Sequence, residues 1–201
     1  MKKLVIATGN PGKLSEIEEV FKDLPFEFLS LKELGLEISI EEDQDTFEGN
    51  AIKKAVEVMK YTGEITLADD SGLEVDVLGG RPGVFSARFA GAEATDEQNN
   101  KKLLQLMANI PEEKRTARFR CVIAVAFPNG QILTSEGICE GRIGYFPKGT
   151  NGFGYDPLFI VDKYNKTFAE LDQHEKNQIS HRGVALRKMR KQLEEYLNNL
   201  R

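Results

Sequence analysis

The chain has 201 residues, 40% of them hydrophobic and 29% charged, with a net charge of −5 and two cysteines. That suits one large domain or two lobes sharing a core. It holds no apolar run near the roughly 18 residues of a membrane span, and its charge disfavours a nucleic-acid polymer as partner.

Residues 3–8 read as a first strand. Their apolar run stops before Gly9-Asn10-Pro11, too short for a secretory signal, so a cytoplasmic location is expected. Thr8-Gly9-Asn10-Pro11-Gly12-Lys13 then leads into a helix on which Leu14, Ile17, Val20, Phe21 and Leu24 recur at helical spacing. A strand, a glycine turn and a helix start make a natural anion site, because the first N–H groups of a helix lack internal partners, and Lys13 adds a mobile charge. The spacing is not that of a Walker A loop. A capped turn with a surface lysine accounts for the same residues.

Phe26–Leu29 reads as a second strand and Leu31–Leu36 as a short helical piece. Five acids crowd residues 41–48. Thr46 is placed to cap a helix running to Tyr61, with Phe47, Ala51, Ile52, Ala55, Val56 and Met59 on one face. Ile65–Ala68 is a short buried strand ending on Asp69-Asp70-Ser71-Gly72. Two adjacent carboxylates at a strand end suit a hard cation such as Mg²⁺, with Glu41 and Glu42 in reach from the preceding loop. The same residues also favour an ordinary turn. Leu73, Val75 and Val77 alternate with acids as a further strand.

Thr95-Asp96-Glu97-Gln98 fits a capping box opening a helix. Residues 116–127 form a long strand, and Asn129-Gly130 turns it into a hairpin with 131–139; this half, roughly 116–145, is expected to form its own lobe. Cys121, inside this run, is a plain core residue, and the two cysteines have no metal-ligand spacing. Gly149 to Pro157 holds three glycines and two aromatics in a ligand-loop pattern, where backbone comes close and a ring stacks on a flat base. Leu158–Val161 is a buried strand. Glu175 to Arg182 opens a C-terminal helix that Ser180 is placed to cap. His181 and Arg182 in its first turn oppose the helix dipole, a misfit that favours ligand binding.

Thr8-Gly9-Asn10-x-x-Lys13, Ala68-Asp69-Asp70-Ser71-Gly72, Pro82-Gly83-x-x-Ser86-Ala87-Arg88, Gly152-Phe153-Gly154-Tyr155-Asp156-Pro157 and Glu175-Lys176…Ile179-Ser180-His181-Arg182 together resemble the inosine/xanthosine triphosphate pyrophosphatase family, in order, from residue 4 to about 190. The resemblance implies an α/β fold whose long mixed β-sheet, with flanking helices, forms two lobes around a central cleft, as one domain over 1–201. It implies Mg²⁺-dependent hydrolysis of ITP, dITP and XTP to the monophosphate and pyrophosphate, keeping deaminated purines out of DNA and RNA, and a homodimer. By the same resemblance Asp70 is the proton acceptor and a metal ligand, with Glu41 as a further ligand and Asp69 in support. Thr8, Gly9, Asn10, Pro11, Gly12 and Lys13 hold phosphates, and Ser71 touches the substrate. Phe153, Gly154, Tyr155 and Asp156 hold the base and sugar, and Lys176, His181 and Arg182 close on base and phosphate.

One departure stands out. Relatives read Thr-Phe-x-Glu-Asn-Ala where this chain has Thr46-Phe47-Glu48-Gly49-Asn50-Ala51. Gly49 in place of a glutamate leaves a second reading open, a nucleotide-binding protein with weakened turnover. Asn151 stands where glycine is usual, which a turn accepts.

Overall fold

A computed structural model describes residues 1–199, so the expected 1–201 domain runs two residues beyond the described range. Seven strands form one mixed sheet in the order β2-β1-β3-β4-β5-β6-β7. They are β1 (Lys2–Ile6), β2 (Phe26–Ser30), β3 (Ile65–Val75), β4 (Thr116–Ala126), β5 (Ile132–Ile143), β6 (Phe159–Val161) and β7 (Lys166–Thr167). β1 runs parallel to β2 and β3, while β6 is antiparallel to β5 and β7. The helices are α1 (Pro11–Phe21), α2 (Phe47–Thr62), α3 (Asp96–Leu106), α4 (Gln173–Ile179) and α5 (His181–Asn199). By contacts the described chain divides into two units, the first of 1–70, 121–137 and 182–199, the second of 71–120 and 138–181.

In the first unit, Leu4, Ile6, Ile65, Leu67, Cys121, Ile123 and Val125 pack with Ile17 and Phe21 of α1 and Ala185, Leu186, Met189 and Leu193 of α5. The alternating numbers on the strands mark one sheet face, because side chains alternate along a strand. The 185/186/189/193 spacing marks one helix face. α2 is closed at both ends: the Thr46 side chain accepts the Gly49 N–H, and Gly63 at φ 72 returns its N–H to the Met59 carbonyl. In the second unit, Leu73, Val75, Leu103, Met107, Phe119, Phe159 and Phe168 form the core. The Phe119 ring stands 4.6 Å from Phe159 and 5.7 Å from Phe168.

The structure corrects several expectations. Leu31–Leu36 is a set of turns closed by Gly35 at φ 65, not a helix. Asp69-Asp70-Ser71-Gly72 lies inside the 11-residue strand β3 rather than at a strand end, and Val77 lies in a 3₁₀ turn beyond it. Asn129-Gly130 does turn the hairpin, with the Phe127 N–H bonded to the Gln131 carbonyl. That hairpin forms no lobe of its own, since 121–137 belongs to the first unit and its ends to the second. The C-terminal helix begins at His181. Glu175 to Ile179 belongs to the separate helix α4, which ends where Ser180 turns extended at ψ 154.

Candidate active site

Strand alternation decides what the two central acids do. Residues 65–70 are all buried, as befits a strand covered on both faces. Asp69 continues the row of Ile65 and Leu67 and meets α1 and α5; Asp70 points to the other face and meets α2. The side-by-side pair expected on one cation is therefore split. Asp69 Oδ2 lies 2.9 Å from Lys13 Nζ and 3.6 Å from Arg182 Nε, and Arg182 Nη1 donates to Glu16 Oε2 at 2.7 Å. All three partners of this chain are buried: Glu16 is 4% exposed, Asp69 1% and Arg182 2%. Burial opposes the charge on Asp69, but Lys13, Arg182 and Lys54 outweigh it and hold the carboxyl well below the usual range. Burial likewise opposes the charge on Arg182, and Glu16 and Asp69 overcome it.

Asp70 is shifted the other way. Burial first, then the charge of Glu42, raises its pKa to about 6, and the hydrogen bond from Asn50 Nδ2 to Asp70 Oδ2 at 3.0 Å only partly offsets them. Asn50 comes from the apolar face of α2 and is 1% exposed; its Oδ1 also accepts the Gln44 N–H at 2.9 Å, tying the acidic loop to Asp70. Glu42 pairs with Lys54 Nζ at 2.5 Å, and that ammonium also donates to the Asp69 carbonyl at 2.9 Å. Glu41 is exposed, and its carbonyl oxygen receives Lys53 Nζ at 2.9 Å. The acid whose charge acts on Asp70 is thus Glu42 rather than Glu41. Asp70 with Glu42 fits a divalent cation: two carboxylates that repel each other are what a hard cation relieves, and Mg²⁺ is content with one or two carboxylates plus waters.

A raised acid binds more protons folded than unfolded. Between an ordinary aspartate value of about 4 and about 6, Asp70 therefore costs the metal-free protein stability as pH rises, and the cost persists above that window. Metal-free Asp70→Asn is expected to melt above wild type at about pH 7, with the gap closing by about pH 4. Thermal melts in a chelating buffer check this; equal melting curves at both pH values would reject the buried, raised carboxyl.

The glycine turn before α1 is preorganised. Thr8 Oγ1 accepts the Asn10 N–H at 3.2 Å, and Asn10 Oδ1 caps the helix by accepting the Lys13 N–H at 3.1 Å. Pro11 opens the helix, where its missing N–H costs nothing. A cavity of about 740 Å³ lies against Thr8, Gly9, Asn10 and Pro11, with Leu31, Lys32 and 35–39 as its other wall.

The remaining expected residues lie in the second unit. Lys176 is 3% exposed; its Nζ reaches Asp156 Oδ2 at 2.7 Å and stands 4.9 Å from the centre of the Phe153 ring, a cation–π contact. His181 stacks on Phe119 at 4.7 Å and 11°. Tyr155 donates its hydroxyl to the Ser86 carbonyl at 2.7 Å, so it fixes the loop rather than presenting its ring. The Phe153 N–H donates to Asp156 Oδ2 at 3.0 Å and the Gly154 N–H to Asp96 Oδ2 at 2.7 Å. Ser71 is half-buried at the start of this unit.

Sequence reasoning missed Glu16, Asn50 and Lys54, and mentioned Glu42 only as lying in reach. Asn50 carried one readable signal, a polar amide three residues after Phe47 beside Ala51 on an apolar helix face. Glu16 carried none, for its partner Arg182 is 166 positions away.

The Ham1 family matches residues 4–192. A dITP/XTP pyrophosphatase of Desulforamulus reducens is 57% identical over 186 residues, covering 92% of each chain. That of Bacillus subtilis is 50% identical over 96% of this chain and 98% of its own. Among solved structures, a HAM1 protein from Coxiella burnetii superposes with a TM-score of 0.90 at 44% identity, and the Staphylococcus aureus Ham1 protein with 0.88 at 40%. Each superposition covers 97% of this chain and all of the other. With the matched stretch running from the first strand through the acid pair to the cations that open the last helix, the chain belongs to the Ham1 family.

Proposed function

We propose that this chain hydrolyses non-canonical purine nucleoside triphosphates, dITP, ITP and XTP, to the monophosphate and pyrophosphate. The observation that carries the reading is Asp70, a buried carboxylate raised to about 6 opposite Glu42 and held by Asn50. A general base works best with a pKa near the operating pH, and an ordinary surface aspartate lies too low. Asp70 takes the proton of a water whose oxygen attacks the α-phosphorus. The bond from that phosphorus to the bridging oxygen breaks, and pyrophosphate leaves. Lys13 and the turn from Thr8 to Gly12 bind the phosphates and offset the charge that develops on them. Asp70 and Glu42 would hold Mg²⁺, which when bound supplies positive charge to the phosphate oxygens and acidifies water. The homodimer and the cytoplasmic setting belong to the same proposal. Among the described residues no helix is long and apolar enough to cross a membrane.

Phe153 offers a flat face to the base. The N–H groups of Phe153 and Gly154 are committed to Asp156 and Asp96, so base-edge donors in this unit are side chains such as His181 rather than those two amides. A donor aimed at position 6 donates to the oxygen of hypoxanthine or xanthine and rejects the amino group of adenine, which would leave it unpaired. The test is pyrophosphate release from ITP, dITP, XTP, ATP and GTP with Mg²⁺. Preference for the 6-oxo substrates over ATP is expected from position 6, and equal kcat/KM for ITP and ATP would remove the selectivity.

The weakened-turnover reading rests on Gly49. That residue is at the third position of α2, where its N–H meets Thr46 Oγ1 at 3.0 Å, and a Cβ there would stand 2.9 Å from Gln44 Cβ. Once Gln44 shifts to make room, a glutamate at this position would complete a capping box with Thr46, a structural role. None of the partners found for Asp70 comes from it. Gly49→Glu is therefore expected to leave kcat for ITP unchanged; a large gain in pyrophosphate release would restore the weakened-enzyme reading.

A further inference from the structure

The loop that carries Phe153 is soft by composition. Gly149, Gly152 and Gly154 have φ of 82, 76 and 61, and glycines in that region place few restraints of their own on the chain. Beside the Thr150 and Asn151 N–H groups on the Ala169 carbonyl and the Tyr155 hydroxyl on that of Ser86, it is restrained by α3, a helix to which the sequence assigned no site residue. Asp96 Oδ2 accepts the Gly154 N–H at 2.7 Å, and Asn100 Nδ2 donates to the Gly154 carbonyl at 2.9 Å. The two side chains are four positions apart and so share one helix face; between them they hold both polar groups of a single residue. α3 is a firm mount. Its start is closed by a reciprocal capping box of Thr95 and Gln98, and Leu103 and Met107 anchor its far end in the core.

We propose that Asp96 and Asn100 are positioning residues for base recognition, setting where the Phe153 ring stands without touching the nucleotide. The proposal rests on the reading of Phe153 as the base platform. Asn100 is 9% exposed, and its buried Oδ1 has no hydrogen-bond partner among the described residues. A bare buried amide oxygen is costly, and the bond this amide does make is the one to Gly154. A cavity of about 790 Å³ separates much of the loop from α3, lined by Asn100 and Leu104 on one side and Gly152, Phe153 and Pro157 on the other. Side-chain packing therefore does not replace the two bonds. Phe153 is the residue next to the clamped Gly154, and its own N–H on Asp156 and the Lys176 ammonium above its ring hold it on the other side.

Asn100→Asp keeps the shape and removes the donor. Asp96→Ala removes an exposed acceptor, and Asp96→Asn keeps an acceptor oxygen. Asn100→Asp and Asp96→Ala are each expected to raise KM for ITP about five- to tenfold with kcat within about twofold, the size of one hydrogen bond lost, while Asp96→Asn restores KM. Asp96→Ala combined with Phe153→Ala is expected to be no worse than Phe153→Ala alone, since the effect passes through that ring. Independently of turnover, amide exchange at Gly154 rises in Asp96→Ala and returns to the wild-type rate in Asp96→Asn. Unchanged KM in both single variants, or a fully additive penalty with Phe153→Ala, overturns the positioning role. Wild-type protein that neither binds nor turns over ITP sinks the base reading itself, a result no KM of a variant can mimic.

Discussion

Asp70→Asn is expected to lower kcat for ITP by about 10²- to 10⁴-fold, the usual worth of a positioned general base, with KM changed far less. The substitution keeps the shape and an oxygen that Asn50 Nδ2 can still reach, so the 3.0 Å bond to α2 survives. What it removes is a carboxylate whose basicity is tuned toward neutral pH, by burial and by Glu42. In wild type, kcat/KM is expected to rise with pH until Asp70 is ionised. A bound divalent cation favours the carboxylate, so with Mg²⁺ this limb lies below about 6. The limb should vanish in Asp70→Asn. Steady-state kinetics across pH check both points, and a kcat within tenfold of wild type would place the base elsewhere. Glu42→Gln provides the companion measurement. Loss of its charge lets Asp70 ionise more easily, and a metal-free titration of Asp70 should move down toward the ordinary aspartate value.

The order of elements was legible where one local signal sufficed. Thr46 and Thr95 cap helices because a hydroxyl accepts an N–H three residues on, and Asn129-Gly130 turns a hairpin because two small residues tolerate the required backbone. The central motif was misplaced for a physical reason. Asp, Ser and Gly prefer turns, and only the neighbouring strands, invisible in one sequence, make residues 65–75 continuous. Ser180 was read as the cap of one helix opening near Glu175, but the segment before it has its own box of Asp172 and Glu175 and is a helix that Ser180 ends. The site followed the same division. Lys13, Asp69 and Arg182 do converge, yet which acid faces which cation depended on strand alternation. That rule applies only once 69 and 70 are known to lie inside a strand.

Arg182→Met is expected to destabilise the protein by about 3–5 kcal/mol, because it strips the cation from between two buried carboxylates. Glu16 would then keep a charge at 4% exposure without the 2.7 Å bond from Arg182 Nη1, while Asp69 would retain Lys13 at 2.9 Å. Set against a typical total of about 5–15 kcal/mol, this is a large share of the stability. The double variant Glu16→Met/Arg182→Met removes the buried carboxylate together with Arg182, and replacing a buried pair by apolar groups of similar size is often near neutral. Its urea midpoint is expected to return most of the way to wild type. KM for ITP should stay raised in both variants, because a guanidinium that offers five N–H donors is gone from each. Recovery of the midpoint without recovery of KM separates the two duties of Arg182, bracing Asp69 and meeting substrate. A single variant as stable as wild type would mean that the Glu16–Arg182–Asp69 chain braces nothing, and recovery of KM in the double variant would leave Arg182 with bracing as its one duty.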